Sequence, residues 1–386
     1  MSIVFVHGVT VRDSPDERAR IKLRDALFCT YLGGVCAAPT VDNPDWGKCG
    51  AQFAWGLASM PKMIDEAFGP QDRETAAAYA ILETVAPDRR FDDQQRILLT
   101  IAADSIPDAI DALWWAAALT ETQVVSPEIL ALASKQALAF AREEPRKARE
   151  WLSTCRSDGD FIAGIIARAQ DHTGAAPGEQ SFGLSDLYAD LANGARLLAR
   201  RCVSEPAVNW FRAHYAEKMT LFVGDVMEYI DTRGRVGPGG CIVETVEAAF
   251  RSAKAPLTVV GHSMGGNISY DVLTSFATDV PCDTLITVGS QVGLFEELKK
   301  FRASDPDVRG SKARVQRPQN IDRWINVYDP IDPFAYLVKP VFSGVYDIPF
   351  GRAIGPIQSH GDYFHRPEFY QTLLDALQAV PRGGAR

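Results

Sequence analysis

The stretch Pro256-Leu-Thr-Val-Val-Gly-His-Ser-Met-Gly-Gly-Asn267 constrains this chain more than any other. Its apolar run, Leu257 to Val260, reads as a short buried strand, and Ile268 to Phe276 carries a helical pattern. Between them stands Gly261-His-Ser-Met-Gly265, which is G-x-S-x-G in the strand, turn and helix context that the motif needs. The spacing has a steric reason. A serine on so tight a turn has a strained backbone, and glycines two before and two after it let strand and helix approach closely. The turn exposes the Ser263 hydroxyl at the carboxyl end of the strand. It also puts the Met264 N–H at a helix start, where it points at developing negative charge. Any α/β protein can carry a glycine-rich strand-to-helix turn, so the rest of the chain must supply a base, an acid and a second oxyanion donor.

The chain opens with Ser2-Ile-Val-Phe-Val6, a second buried-strand run, which ends in His7-Gly8-Val9. Ser14-Pro-Asp-Glu17 then offers an N-cap, a proline at the first helical position and a glutamate three after the cap. The helix that follows, to about Tyr31, sets Ala19, Leu23, Ala26 and Leu27 on one face. From Gly33 to about Pro61 the pattern breaks, with a strand expected at Gln52 to Trp55.

Residues 61–219 differ in character: helical periodicity recurs and strand patterns nearly vanish. Helices are expected at Glu74–Val85, Asp92–Ala103, Asp108–Leu119, Pro127–Arg142, Pro145–Thr154, Phe161–Ala169 and Leu184–Cys202. Glu205–Tyr229 and Ile242–Ala253 are further helices before the nucleophile strand. Beyond it come strands at Asp283–Gly289 and Trp324–Tyr328, and a terminal helix at Glu368–Val380. The alternation predicts an α/β fold, a mostly parallel sheet with helices on both faces. Residues 1–60 and 220–386 would build that core, and 61–219 an inserted all-helical cap over the carboxyl end of the sheet. Within the cap, Ile110–Leu119 and Phe161–Ile166 either line an acyl channel or form the cap's own core.

In such sheets, ligands gather where the carboxyl ends of the strands meet the loops. The chain has six histidines. His262 adjoins Ser263 and should point away from its hydroxyl, His7 sits in the loop after the first strand, and His172 and His214 belong to the helical block. That leaves His360 and His365, with His360, in the short Ser359-His-Gly361 loop, the favoured base. A base is needed because a serine hydroxyl is a poor nucleophile until its proton has somewhere to go. Asp329 and Asp332 compete for the acid that orients the imidazole. Either one gives the chain order Ser, Asp, His that accompanies this elbow. Val9 N–H, just after His7-Gly8, would join Met264 N–H as the oxyanion hole.

The totals bound the alternatives. A hydrophobic share of 46% describes an ordinary globular chain, and a net charge of −9 without a basic run argues against nucleic acid as a partner. The longest apolar run, near Ala112 to Leu119, is too short to span a bilayer, though transient contact with a membrane surface stays open. Ile3-Val-Phe-Val6 has no charged n-region before it in this sequence, so a signal peptide is not expected. Seven scattered cysteines without a C-x-x-C pair suggest reduced thiols and a cytoplasmic location. No cofactor or metal is expected.

Phe5-Val-His-Gly8 and Gly261-His-Ser-Met-Gly-Gly266 resemble the oxyanion motif and the elbow of the α/β-hydrolase superfamily, in particular its lipase-like serine esterases. Val288-Gly-Ser-Gln-Val-Gly-Leu294, Asn326-Val-Tyr-Asp-Pro-Ile-Asp-Pro-Phe-Ala-Tyr336 and Ser359-His-Gly-Asp-Tyr-Phe364 are similar to the C-terminal part of DDHD-type phospholipases. The resemblance implies Asp332 rather than Asp329 as the acid, and His360 as the base. It covers roughly 2–30 and 220–380. Phe334, Leu337 and Gln291 depart from the usual valine, arginine and proline, so lipid specificity does not transfer. The resulting expectation is a Ser263–His360–Asp332 hydrolase acting through an acyl-enzyme on lipid or other hydrophobic esters. Acyl transfer, thioester cleavage and a non-catalytic binding module are the alternatives.

Overall fold

The computed structural model describes residues 2–9, 11, 14–33, 39–56, 78, 81–82, 96–120, 124–171, 181–199, 220–234, 240–310, 313–351, 360–361 and 363–382. The first unit is β1 (Ser2–Val6), α1 (Pro15–Leu32) and β2 (Thr40–Asp42). As the sequence predicts, Ser14 caps α1, its Oγ accepting from the Glu17 N–H at 3.1 Å. Among the described residues there follow α2 (Ile97–Asp104), α3 (Ile106–Ala118), α4 (Pro127–Glu143), α5 (Pro145–Leu152), α6 (Asp158–Asp171) and α7 (Ser181–Ala199). The helix expected at Glu74–Val85 lies almost wholly outside the described residues, as do His172, His214 and the segment 205–219. A helical segment over 220–232 leads to α8 (Cys241–Ser252), β3 (Leu257–His262), α9 (Met264–Ser275), β4 (Thr284–Val288) and α10 (Val292–Glu297). The chain ends with β5 (Val315–Gln316), β6 (Trp324–Tyr328), β7 (Phe342–Ser343), β8 (Tyr346–Pro349) and α11 (Pro367–Ala379).

Six strands form one sheet in the order β2-β1-β3-β4-β6-β8, every neighbour parallel. The α/β expectation holds at that level. Because both faces are covered, the strands read as unbroken apolar runs. Ile3, Phe5, Val260, Ile286, Val288, Ile325 and Val327 enter one core cluster. Their alternates Val4, Val6, Leu257, Val259, Leu285 and Trp324 enter the other, with α8 and α9. Strand order reverses direction between β1 and β3, which opens a crevice beyond their carboxyl ends.

One strand expectation is corrected. Gln52 to Trp55 is not a strand; 54–56 form a turn, and the edge strand is Thr40–Asp42. An edge strand needs no apolar run, so Thr-Val-Asp gave little signal. The Gln52 segment is instead pinned to the 220–232 helix, where Asp225 Oδ1 accepts from the Ala51 N–H at 2.9 Å. Trp55 is left 84% exposed.

The described helices of the block pack in a layer outside α1 and α11: α4 lies on α1, and α11 on α1, α3 and α4. Their apolar residues form one continuous core with those two helices. Ile110, Leu113, Trp115, Phe161 and Ile165 all lie inside it. Those residues are buried in a core shared with α1 and α11, not in a core of the block's own. A buried ion pair ties the block to the C-terminal helix: Arg366 Nε donates to Asp111 Oδ2 at 2.5 Å, and the Glu368 N–H donates to Asp111 Oδ1 at 3.2 Å. Replacing Asp111 with Ala removes the carboxylate that compensates a buried guanidinium. A loss of about 3–5 kcal/mol in urea unfolding is expected, with Asp111→Asn milder because it keeps an acceptor.

The expectation of reduced thiols is corrected at one pair. Cys49 and Cys241 are disulfide-bonded, their Cα atoms 5.9 Å apart, while Cys29, Cys155 and Cys282 are free. The cysteines therefore no longer argue for a reducing compartment. Among the described residues no helix is long and apolar enough to cross a membrane.

Candidate active site

Ser263 sits between the end of β3 and the first residue of α9 with φ 53° and ψ −125°, a backbone conformation that L-residues rarely adopt. Neighbouring contacts hold it there. The Ser263 N–H donates to Val288 O at 2.9 Å, and its carbonyl accepts from Ser290 Oγ at 2.9 Å and from the Gly266 N–H at 3.0 Å. The motif glycines are glycines for want of space. A Cβ on Gly261 would stand 2.6 Å from the Gly266 Cα, and one on Gly265 would strike the carbonyl oxygens of Val6 and His7. The sheet register pairs Val6 with Gly261, so the segment after β1 runs beside the elbow. A Cβ on Gly8 would be 3.0 Å from Ser263 Cβ. Val9 follows immediately. Met264 occupies the first position of α9, where helix geometry offers its N–H no intrahelical acceptor.

The candidate base and acid meet the serine. His360 Nε2 lies 2.7 Å from Ser263 Oγ, and His360 Nδ1 lies 2.9 Å and 3.1 Å from the two Asp332 oxygens. A carboxylate oxygen accepts, so Nδ1 carries the proton and Nε2 is free to take one from the serine. Asp332, not Asp329, is the aspartate in reach. Asp329 Oδ1 accepts from the Ile331 N–H at 3.0 Å, a local turn bond that shapes the loop. His365 sits five residues past His360 in the short helical turn Tyr363–His365.

Asp332 is held by groups that the sequence reading did not single out. Its Oδ1 accepts from the Phe334 N–H at 2.8 Å, and its Oδ2 accepts from the Tyr363 hydroxyl at 3.0 Å. Tyr363 in turn accepts from the Asp329 N–H at 2.9 Å. Burial first, and the Asp332 charge second, push the Tyr363 phenol well above its ordinary value, so it stays a donor. Gly289, at φ 53°, clears the space: a Cβ there would be 2.9 Å from the Tyr363 ring and 3.0 Å from Asp332 Oδ2. In Tyr363→Phe, Asp332 loses a donor and the buried Asp329 N–H loses its acceptor. A stability loss of about 1–3 kcal/mol is expected, with roughly a tenfold fall in ester turnover. Unchanged turnover with unchanged melting would show that the hydroxyl holds nothing.

Two further features border the site. The His7 ring stacks on Trp46, with centroids 4.7 Å apart and planes 11° from parallel, and Trp46 Nε1–H donates to His7 O at 2.9 Å. On the other side the Phe334 ring lies 4.9 Å from the His360 ring, and Phe222 of the 220–232 helix lies 5.1 Å from Phe334. This apolar wall beside the imidazole was visible in the sequence only as Phe334 standing where the resembled family has valine. Among the described residues no group of three His, Cys, Asp or Glu side chains could hold a metal ion.

Chemically, the arrangement can raise the nucleophilicity of a hydroxyl, pass its proton along an imidazole and offset the resulting cation with a buried carboxylate. Compared with protein-family models, curated proteins and solved structures, the chain finds no match.

Proposed function

We propose that this chain is a serine hydrolase that cleaves carboxylic esters with hydrophobic acyl groups. One observation carries the reading: a strained Ser263 whose Oγ lies 2.7 Å from an imidazole that is itself 2.9 Å from a buried aspartate. Ser263 Oγ attacks the ester carbonyl while His360 Nε2 takes its proton. The tetrahedral oxyanion faces the Met264 and Val9 N–H groups. His360 then protonates the departing alkoxide, leaving an acyl-enzyme. Water, deprotonated by the same nitrogen, attacks that ester and releases the acid and Ser263. Asp332 keeps the imidazole oriented and offsets its transient charge.

The hydrophobic acyl preference rests on Phe334 and Phe222, whose rings offer apolar surface next to the base. The resemblance to lipase-like α/β-hydrolases supports the same chemistry. In this reading the inserted helical block braces the base-bearing segment through Asp111 and Arg366. Labelling with a fluorophosphonate probe, together with turnover of p-nitrophenyl esters of increasing acyl length, tests the proposal. The expected result is covalent labelling at Ser263 and a rate that rises with chain length. A chain that neither labels nor turns over any ester is not a hydrolase of this kind, and a binding role takes its place.

A further inference from the structure

We infer that His262, the residue before the nucleophile, is a positioning residue that fixes the main chain of His360 so that the base reaches Ser263; the inference rests on the hydrolase reading. His262 Nε2 lies 2.8 Å from the carbonyl oxygen of His360. A carbonyl oxygen only accepts, so Nε2 carries the proton and donates. Residue 360 is therefore held twice from two consecutive residues of one turn. Ser263 bonds its side chain at 2.7 Å, and His262 bonds its backbone.

The surroundings explain why a main-chain anchor is needed. Gly361 follows the base, and a Cβ there would meet nothing within 4 Å. A glycine in open space leaves the backbone beside the base free to turn. The His262 ring occupies the junction of three segments. Its centroid is 5.2 Å from the His360 ring and 5.2 Å from the Phe364 ring, which it meets edge-on at 82°. On its far side a Cβ at Gly8 would come within 3.3 Å of His262 Nδ1, so the segment after β1 abuts the same imidazole. One ring thus touches the nucleophile turn, the segment that carries Val9 and the segment that carries the base. Burial, foremost, pushes His262 down to about 3. It therefore stays neutral and adds no second cation beside the imidazolium that His360 becomes.

The test compares His262→Phe, which keeps the bulk and deletes the donor, with His262→Gln, whose side-chain amide can still donate to the His360 carbonyl. Both are assayed on p-nitrophenyl esters and by the rate of fluorophosphonate labelling. His262→Phe is expected to lose about 100-fold in kcat with KM little changed, the usual result of misplacing a reacting group by an ångström. His262→Gln is expected to recover to within about tenfold of the wild type, since an amide supplies the same N–H. Wild-type rates in His262→Phe overturn the inference, and so does an equal loss in both variants. Should His262→Phe not fold, His262→Asn replaces it. Its amide is too short to reach, so rates matching those of His262→Gln also overturn the inference. A wild-type chain that neither labels nor hydrolyses removes the hydrolase reading, and this inference with it.

Discussion

Ser263→Ala is expected to abolish fluorophosphonate labelling and to lower ester turnover by on the order of 10⁴-fold or more, with little change in thermal unfolding. The expected size follows from the way such residues act as a unit: deleting the nucleophile costs about as much as deleting the whole relay, and what survives comes from binding and oxyanion contacts. The structure makes the substitution informative about chemistry rather than folding. The hydroxyl bonds His360, whereas the strained turn is held by backbone contacts to Val288, Ser290 and Gly266 that alanine retains. Full turnover in Ser263→Ala would place the chemistry elsewhere.

The second large effect separates two aspartates three residues apart. Asp332→Asn is expected to lower kcat by about 10⁴-fold, because the amide stabilises the wrong imidazole tautomer and cannot offset the imidazolium. Its isosteric amide oxygen can still accept from Tyr363 or from the Phe334 N–H, so the loop should survive. Asp329→Asn keeps a side-chain oxygen that can accept from the Ile331 N–H and should leave turnover within a few-fold of the wild type. Steady-state kinetics of the pair, with melting curves beside them, decide the assignment. Equal losses in both variants would mean that the loop, not one carboxylate, is what matters.

Much of the site could be read before any coordinates. The elbow was legible because its geometry is local: glycine spacing, a strand before and a helix after are all written within a dozen residues. Elimination among six histidines left His360 and His365, of which His360, in its short loop, was favoured. The acid was not narrowed in this way. On the residues alone Asp329 and Asp332 stood level, and only resemblance favoured Asp332. What separates them is reach: His360 Nδ1 meets Asp332, whose oxygens are held by Tyr363, 31 residues on, and by the Phe334 N–H. Nothing in the pattern around Tyr363 or Gly289 announces that they frame a carboxylate, because their contacts are made with residues distant in sequence. The edge strand escaped because Thr40-Val-Asp42 buries little, and the Cys49–Cys241 pair because its members are 192 residues apart.

The sequence by itself determined the alternation of strands and helices, the strained serine turn and the cap of the first helix. Each depends on sterics and hydrogen bonds reaching only a few residues along the chain. Tertiary structure alone decided which side chains meet. Ser263 and His360 are 97 residues apart, His360 and Asp332 are 28 apart, and Arg366 and Asp111 are 255 apart. Those meetings follow from parallel strands delivering their carboxyl ends to one edge of the sheet, and from a shared core that packs the helical block against α1 and α11. Local pattern carries no record of such distances, because folding brings these residues together only when the sheet and both of its covering layers form.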